Sequence, residues 1–188
     1  MKEYSISGWR ANLFGLLFVI PILFIAGFPY LWIWREPDVD FWNFVISQAQ
    51  LIIRHANNVG LRLILFLLIG IVLHEQIHGM CMLYFAKNGW DSVSFGFNFK
   101  AFAPYAHCKE PLTPTAYRIC LIMPGLVLGD IPVLVGWFSG NILLLAWGIL
   151  FSWVAAGDLI IFWLSRHIVD GMIQDHPEKI GFIHIEKE

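Results

Sequence analysis

The chain has 188 residues, 58% of them hydrophobic and only 14% charged, with a mean hydropathy of +0.67. An average soluble domain carries about 25% charged residues, so this composition belongs to a membrane protein, and its length suits one integral membrane domain with no large soluble appendage. A formal net charge of −2 gives no electrostatic basis for binding nucleic acid, and three cysteines (Cys81, Cys108, Cys120) without a C-x-x-C pair support neither a disulfide framework nor a structural zinc finger.

Four segments are long and apolar enough to cross about 30 Å of hydrocarbon, approximately residues 11–34, 61–84, 118–138 and 142–165. The first exceeds a signal-peptide core and lacks a small-x-small cleavage site, so it reads as a retained span, with Pro21 tolerated as a kink. Residues 40–54, with Phe41, Trp42, Phe44, Val45 and Ile46, read as a short helix on the outer interface or as a cover on the bundle.

The second span contains His74-Glu75-Gln76-Ile77-His78, an HExxH pentapeptide. Residues four apart on a helix share a face, so His74 and His78 can hold one metal ion. Glu75 is about 100° round the helix from His74, near enough to act on a water there without being a ligand. Ionisable groups at membrane depth cost roughly 2.5–3.5 kcal/mol each, and an intramembrane zinc site is the most economical reason for three together. The competing reading is a polar cluster satisfied by neighbouring helices.

After that span, Asp91 to Lys100 reads D-S-V-S-F-G-F-N-F-K. Val93, Phe95, Phe97 and Phe99 alternate with polar or small residues, which predicts a half-buried strand paired with a second extended piece near Tyr105–Cys108. Such a hairpin either plugs the bundle or offers this hydrophobic row to an extended substrate.

Catalytic zinc usually takes three protein ligands and a water. Asp130 and Asp158 are the candidates within spans; His107 is the loop candidate. His78 and Asp158 lie about 9 and 10 Å from the same end of their helices, whereas Asp130 is about 18 Å from that end, so depth selects Asp158. Ala155, Ala156 and Gly157 give its helix a small face for close approach. Gly125 and Gly129 have GxxxG spacing on the third span, and Trp32, Trp34, Trp137 and Trp163 fall near span ends as an interfacial belt. Placing both termini in the cytoplasm puts nine Lys/Arg inside and only Arg35, Arg54 and Arg62 outside. The expected fold is therefore mainly α, about four transmembrane helices with a short cytoplasmic-side β-hairpin between the second and third.

HEQIHGM on one membrane helix, the alternating loop after it and Ala155-Ala156-Gly157-Asp158 on a later helix resemble the putative zincin peptidases, a family of small prokaryotic membrane proteins. More distantly they are similar to the site-2 intramembrane metalloproteases, which carry Asp-Gly where this chain has Gly157-Asp158. The resemblance covers roughly residues 60–185, including the stretch from Leu112 to Pro124 and the tail from His176 to Phe182. It implies a zinc ion held by His74, His78 and Asp158, with Glu75 as the catalytic glutamate, in a prokaryotic cell membrane.

The residues so read point to a zinc-dependent endopeptidase working near the cytoplasmic face on membrane-anchored substrates, with the bilayer as its other partner. Asn98 and His107 are candidate oxyanion donors. A non-catalytic metal-binding protein, a sensor or pseudoprotease, would use the same ligands but has little use for Glu75. A metal transporter ranks below both, because no relay of His or Asp crosses the bundle.

Overall fold

The computed structural model describes residues 1–98, 103–176 and 179–186. Strand β1 (Lys2–Ile6) leads into helix α1 (Gly8–Trp34), and α2 (Phe41–Phe85) returns. A hairpin of β2 (Val93–Asn98) and β3 (Ala103–Cys108) precedes α3 (Pro114–Ser139). Then come α4 (Ile142–Val154), α5 (Ala156–Ser165), β4 (Met172–Asp175) and β5 (Ile180–Ile185). Three helical stretches, Gly8–Trp34, Ile64–Phe85 and Pro114–Ser139, are long and apolar enough to cross a membrane, and α4 with α5 makes a fourth if the bent pair is one span.

Three departures from the sequence reading follow from local chemistry. Residues 40–54 do lie in a helix, but a longer one than expected, packed on the bundle through Phe44 and Ile52. Asp40 caps Trp42 and Asn43 at its start, and non-helical backbone at Gly60, where φ is +31°, separates it from the apolar stretch Ile64–Phe85. In α1, a π-helical turn at Leu23–Gly27 follows Pro21, and the Ala26 carbonyl accepts the indole N–H of Trp137 at 2.7 Å. Trp34 and Trp137 thus tie α1 to α3 rather than serving only as interfacial anchors: the Trp34 indole donates to the Trp137 carbonyl at 2.8 Å. The 142–165 segment breaks at Ala155 and bends by 45°, which starts a new helix just before Asp158.

Helices α3 and α4 approach closely because glycines face backbone. A Cβ on Gly129 would lie 2.8 Å from the Ser152 amide, and one on Gly148 would lie 2.7 Å from the Gly129 carbonyl. Arg118 at the start of α3 donates to the carbonyls of Ser165 and Arg166 at 3.3 and 3.2 Å, so the beginning of α3 and the end of α5 share one end of the bundle.

That end carries the β structure. β1, β5 and β4 form an antiparallel sheet in which Lys2 pairs with His184 and Met172 with Ile185. Glu3 accepts from Lys179 at 2.6 Å and faces His176 at 3.3 Å, fixing the turn between β4 and β5. Met82, Val93, Cys108, Tyr117, Leu121, Ile161, Ile173 and Phe182 form a shared core beneath both sheets. Glu110 anchors the hairpin, accepting from the Lys87 and Asn88 amides at 3.0 Å each and from the Ser92 hydroxyl.

Two measurements test this packing. Gly148→Ala should destabilise the detergent-solubilised protein by about 1–3 kcal/mol, because its methyl meets backbone that cannot rotate away, while Gly15→Ala, facing open space, should not. The Ser92 hydroxyl and the Lys87 amide hold the Glu110 carboxyl below its ordinary 4.5, so its stabilisation is complete above that pH and is lost as pH falls beneath it. Thermal unfolding of Glu110→Gln against wild type should show the difference shrinking on acidification.

Candidate metal centre

His74 and His78 lie on the last turns of the apolar half of α2 and are 5% and 6% exposed. Such burial demands partners, and both rings find the same one. Asp158 Oδ2 is 3.1 Å from His74 Nε2 and 3.4 Å from His78 Nε2. Asp158 sits in the first turn of α5, where the helix dipole favours a carboxylate. The break at Ala155 is what aims that turn at α2. Ala155 and Ala156 are buried, and a Cβ on Gly125 would be 3.0 Å from the Ala155 methyl, whereas Gly157 faces open space and takes no part in the close approach.

One ligand atom from each of His74, His78 and Asp158 lies within 4.8 Å of the others, the only such trio among the described residues. The spacing suits a small tetrahedral ion. With zinc–nitrogen and zinc–oxygen bonds of about 2.0–2.2 Å, adjacent ligand atoms stand about 3.3–3.5 Å apart. The two histidine–carboxylate separations differ from that by a few tenths of an ångström at most. His78 is also oriented from behind, its Nδ1 2.9 Å from the Cys120 carbonyl, which leaves Nε2 with a lone pair for a ligand. His74 Nδ1 is buried with no hydrogen-bond partner among the described residues.

Asp130 is elsewhere, exposed and 3.4 Å from the Ser152 hydroxyl. His107 is on β3 and belongs to no ligand group; its Nδ1 faces Asp175 Oδ2 at 3.8 Å.

Glu75 stands beside the trio without joining it. Its Oε2 accepts from the Ala106 amide of β3 at 2.9 Å. The register explains why that amide is available. Lys109 donates to Ser92 as the ladder continues past β2 and β3, so the alternate residues Ala106 and Cys108 turn their amides away from β2. Ala106 reaches Glu75, and Cys108 reaches Asp175 at 3.3 Å.

Glu75, His78 and Asp158 open on a cavity of about 730 Å³, walled by Ser94, Tyr105, Ala106 and His107 of the hairpin and by Asp175, His176 and Lys179 of the tail. Among the described residues of the expected hydrophobic row, none lines it. Val93 is buried in the shared core, and the Phe95 ring covers Gly79, where a Cβ would strike it. Phe97 shares their side of the strand, and Phe99 lies outside the described residues. The alternation that marks the strand also gives it two faces, and it is the Ser94–His107 face that meets the cavity.

A family profile described as putative zincin peptidase matches residues 67–170. The chain belongs to this family. No curated protein and no solved structure matches the chain. The zincin match contains His74, Glu75, His78, the hairpin and Asp158, and it stops before β4. The cavity groups Asp175, His176 and Lys179 therefore lie outside it, in the tail that the sequence resemblance includes. Ala106 and Cys120 could not be found from residue type, because each acts through its backbone. Asp175 had only its acidity to mark it.

Membership in a zincin family implies zinc, and the trio offers the nitrogen and oxygen donors that zinc takes. Mass spectrometry of protein purified without chelator should find about one zinc per chain in wild type and Glu75→Gln, and a loss of most of it in His78→Ala and Asp158→Ala.

Proposed function

We propose that this zincin-family chain is a zinc-dependent endopeptidase that cleaves membrane-anchored peptides within the bilayer boundary, near the cytoplasmic face. The observation that carries this reading is the meeting of His74, His78 and Asp158 at one point, with the Glu75 carboxylate in the same cavity. Supporting it are the apolar helices on which these residues sit and a cavity whose volume falls within the usual range for ligand sites.

His74, His78 and Asp158 would hold the metal. Zinc so held makes a neighbouring water acidic and polarises a carbonyl. Everything else is done by the chain. The Cys120 carbonyl fixes the His78 ring, and the Ala106 amide holds one oxygen of Glu75 so that the other is presented to the cavity. Glu75 takes a proton from the attacking water and returns it to the departing amine. The substrate backbone lies extended between the β3 side of the hairpin and the tail, against Tyr105 and His107 rather than against the phenylalanine row.

The test is cleavage of a panel of quenched single-span peptides in proteoliposomes. Wild type should turn over at least one. Glu75→Gln should lose about 10²- to 10⁴-fold in kcat while keeping its zinc. Chelation should abolish turnover and added zinc restore it. Turnover indifferent to both would overturn the reading, and a zinc-loaded wild type that cleaves nothing would favour a binding protein.

A further inference from the structure

The wall of the cavity carries a second cluster of polar groups that zinc binding does not explain. Asp175, on β4, is drawn away from water among apolar neighbours: Ile173 and Phe182 on the same sheet are 0% exposed. Burial pushes its carboxyl up, against the pull of the Cys108 amide, the Tyr117 hydroxyl and His107. A carboxylate so placed costs stability unless it has partners, and three groups converge on it. The Cys108 amide donates to Oδ2 at 3.3 Å, Tyr117 hydrogen-bonds the carboxyl from α3, and His107 Nδ1 faces the same oxygen at 3.8 Å.

Strand geometry relates this cluster to the proposed chemistry. The outward amides of Ala106 and Cys108 hold Glu75 and Asp175 respectively, and residues two apart on a strand are about 7 Å apart. His107 lies between them in sequence, and its side chain lines the cavity that Glu75 also lines. With Nδ1 turned to Asp175, the opposite nitrogen, Nε2, is the one left for the cavity. A peptide carbonyl that receives water under the control of Glu75 is thus one strand residue away from an imidazole braced from behind.

We infer that His107 is a second catalytic residue, acting as an imidazolium whose Nδ1–H is turned to Asp175 and whose Nε2–H donates a hydrogen bond to the oxygen that becomes negative during peptide hydrolysis, and that Asp175 is its positioning residue. The inference rests on the endopeptidase reading. In the addition step the water oxygen bonds to the carbonyl carbon, one water proton passes to Glu75, and the carbonyl π pair moves onto the oxygen facing His107. In the collapse step that pair re-forms the carbonyl, the carbon–nitrogen bond breaks, and the nitrogen takes the proton from Glu75. His107 forms no covalent bond and ends as it began. Donors arranged in advance around such an oxygen contribute about 10²- to 10³-fold each to kcat.

The experiment uses the full-length protein in proteoliposomes and whichever quenched single-span peptide the wild type cleaves. Expected for His107→Ala is a fall in kcat of about 10²-fold, with KM and zinc content unchanged, and a partial rescue in His107→Gln, which retains an N–H donor. Asp175→Asn keeps an acceptor for the Cys108 amide but removes the charge, and should lower kcat about tenfold. Combined with His107→Ala it should cost nothing more, because the two act as a unit. Loss of zinc in His107→Ala would make His107 a ligand, and a change confined to KM would make it a substrate contact; either overturns the inference. So does full activity in His107→Ala, or an additive double variant. Absence of turnover in zinc-loaded wild type would remove the endopeptidase reading itself, and this inference with it, so the two failures are told apart by the wild-type control.

Discussion

One carboxylate oxygen shared by two imidazoles organises the polar interior of this bundle. His74 and His78 are on one apolar helix and Asp158 is on another, and none could be buried there alone without a cost of several kcal/mol. Bringing them together sets demands on everything around. Helix α5 must start where its first turn points at α2, which the break at Ala155 achieves. Helix α3 must lie against α2 closely enough for the Cys120 carbonyl to reach His78. The glycines that let α3 and α4 touch backbone to backbone carry the first half of the broken span into place.

The hairpin plays a different part. It brings backbone amides to a site built on helices, whose own amides are spent on their internal ladders. An amide on a strand edge has a fixed direction and cannot rotate away, so Glu75 is held by a group more rigid than a side chain would be. The Phe95 ring on Gly79, one residue beyond His78, seats the strand against the helix that carries the motif. Small residues thus serve two purposes here: contact between helices, and a socket for the hairpin.

How much of this the sequence disclosed depends on the range of the interaction involved. HExxH is local, and a helix converts its spacing into geometry without help from the rest of the fold. Asp158 was legible through depth, because rise per residue is constant even when the helix partner is unknown. The strand at 93–98 was legible through its period of two, but that period cannot say which face meets the site, and the hydrophobic face went to α2. The bend at Ala155 was weakly marked, since Ala155 and Ala156 are strong helix formers and only Gly157 and the first-turn acid Asp158 after them favour a new helix start. Asp175 and its neighbours reach the cavity only through strand pairing between distant parts of the chain, which a linear reading does not reveal.

That pairing has a consequence for assembly. Lys2 sits opposite His184, so β1 and β5 close a loop that contains every helix of the bundle. Contacts of such long range are the slowest to form, because the intervening chain must already be nearly in place before they gain anything. The tail wall with Asp175, His176 and Lys179 therefore forms after the helices have threaded, and Glu3 can clamp it only on a bundle whose first and last helices have met correctly. A mis-threaded chain would bear the histidines but lack the tail wall of the cavity. The sheet that joins the two ends of the chain acts as an inspection step, completing the walls of the cavity only once the topology is right.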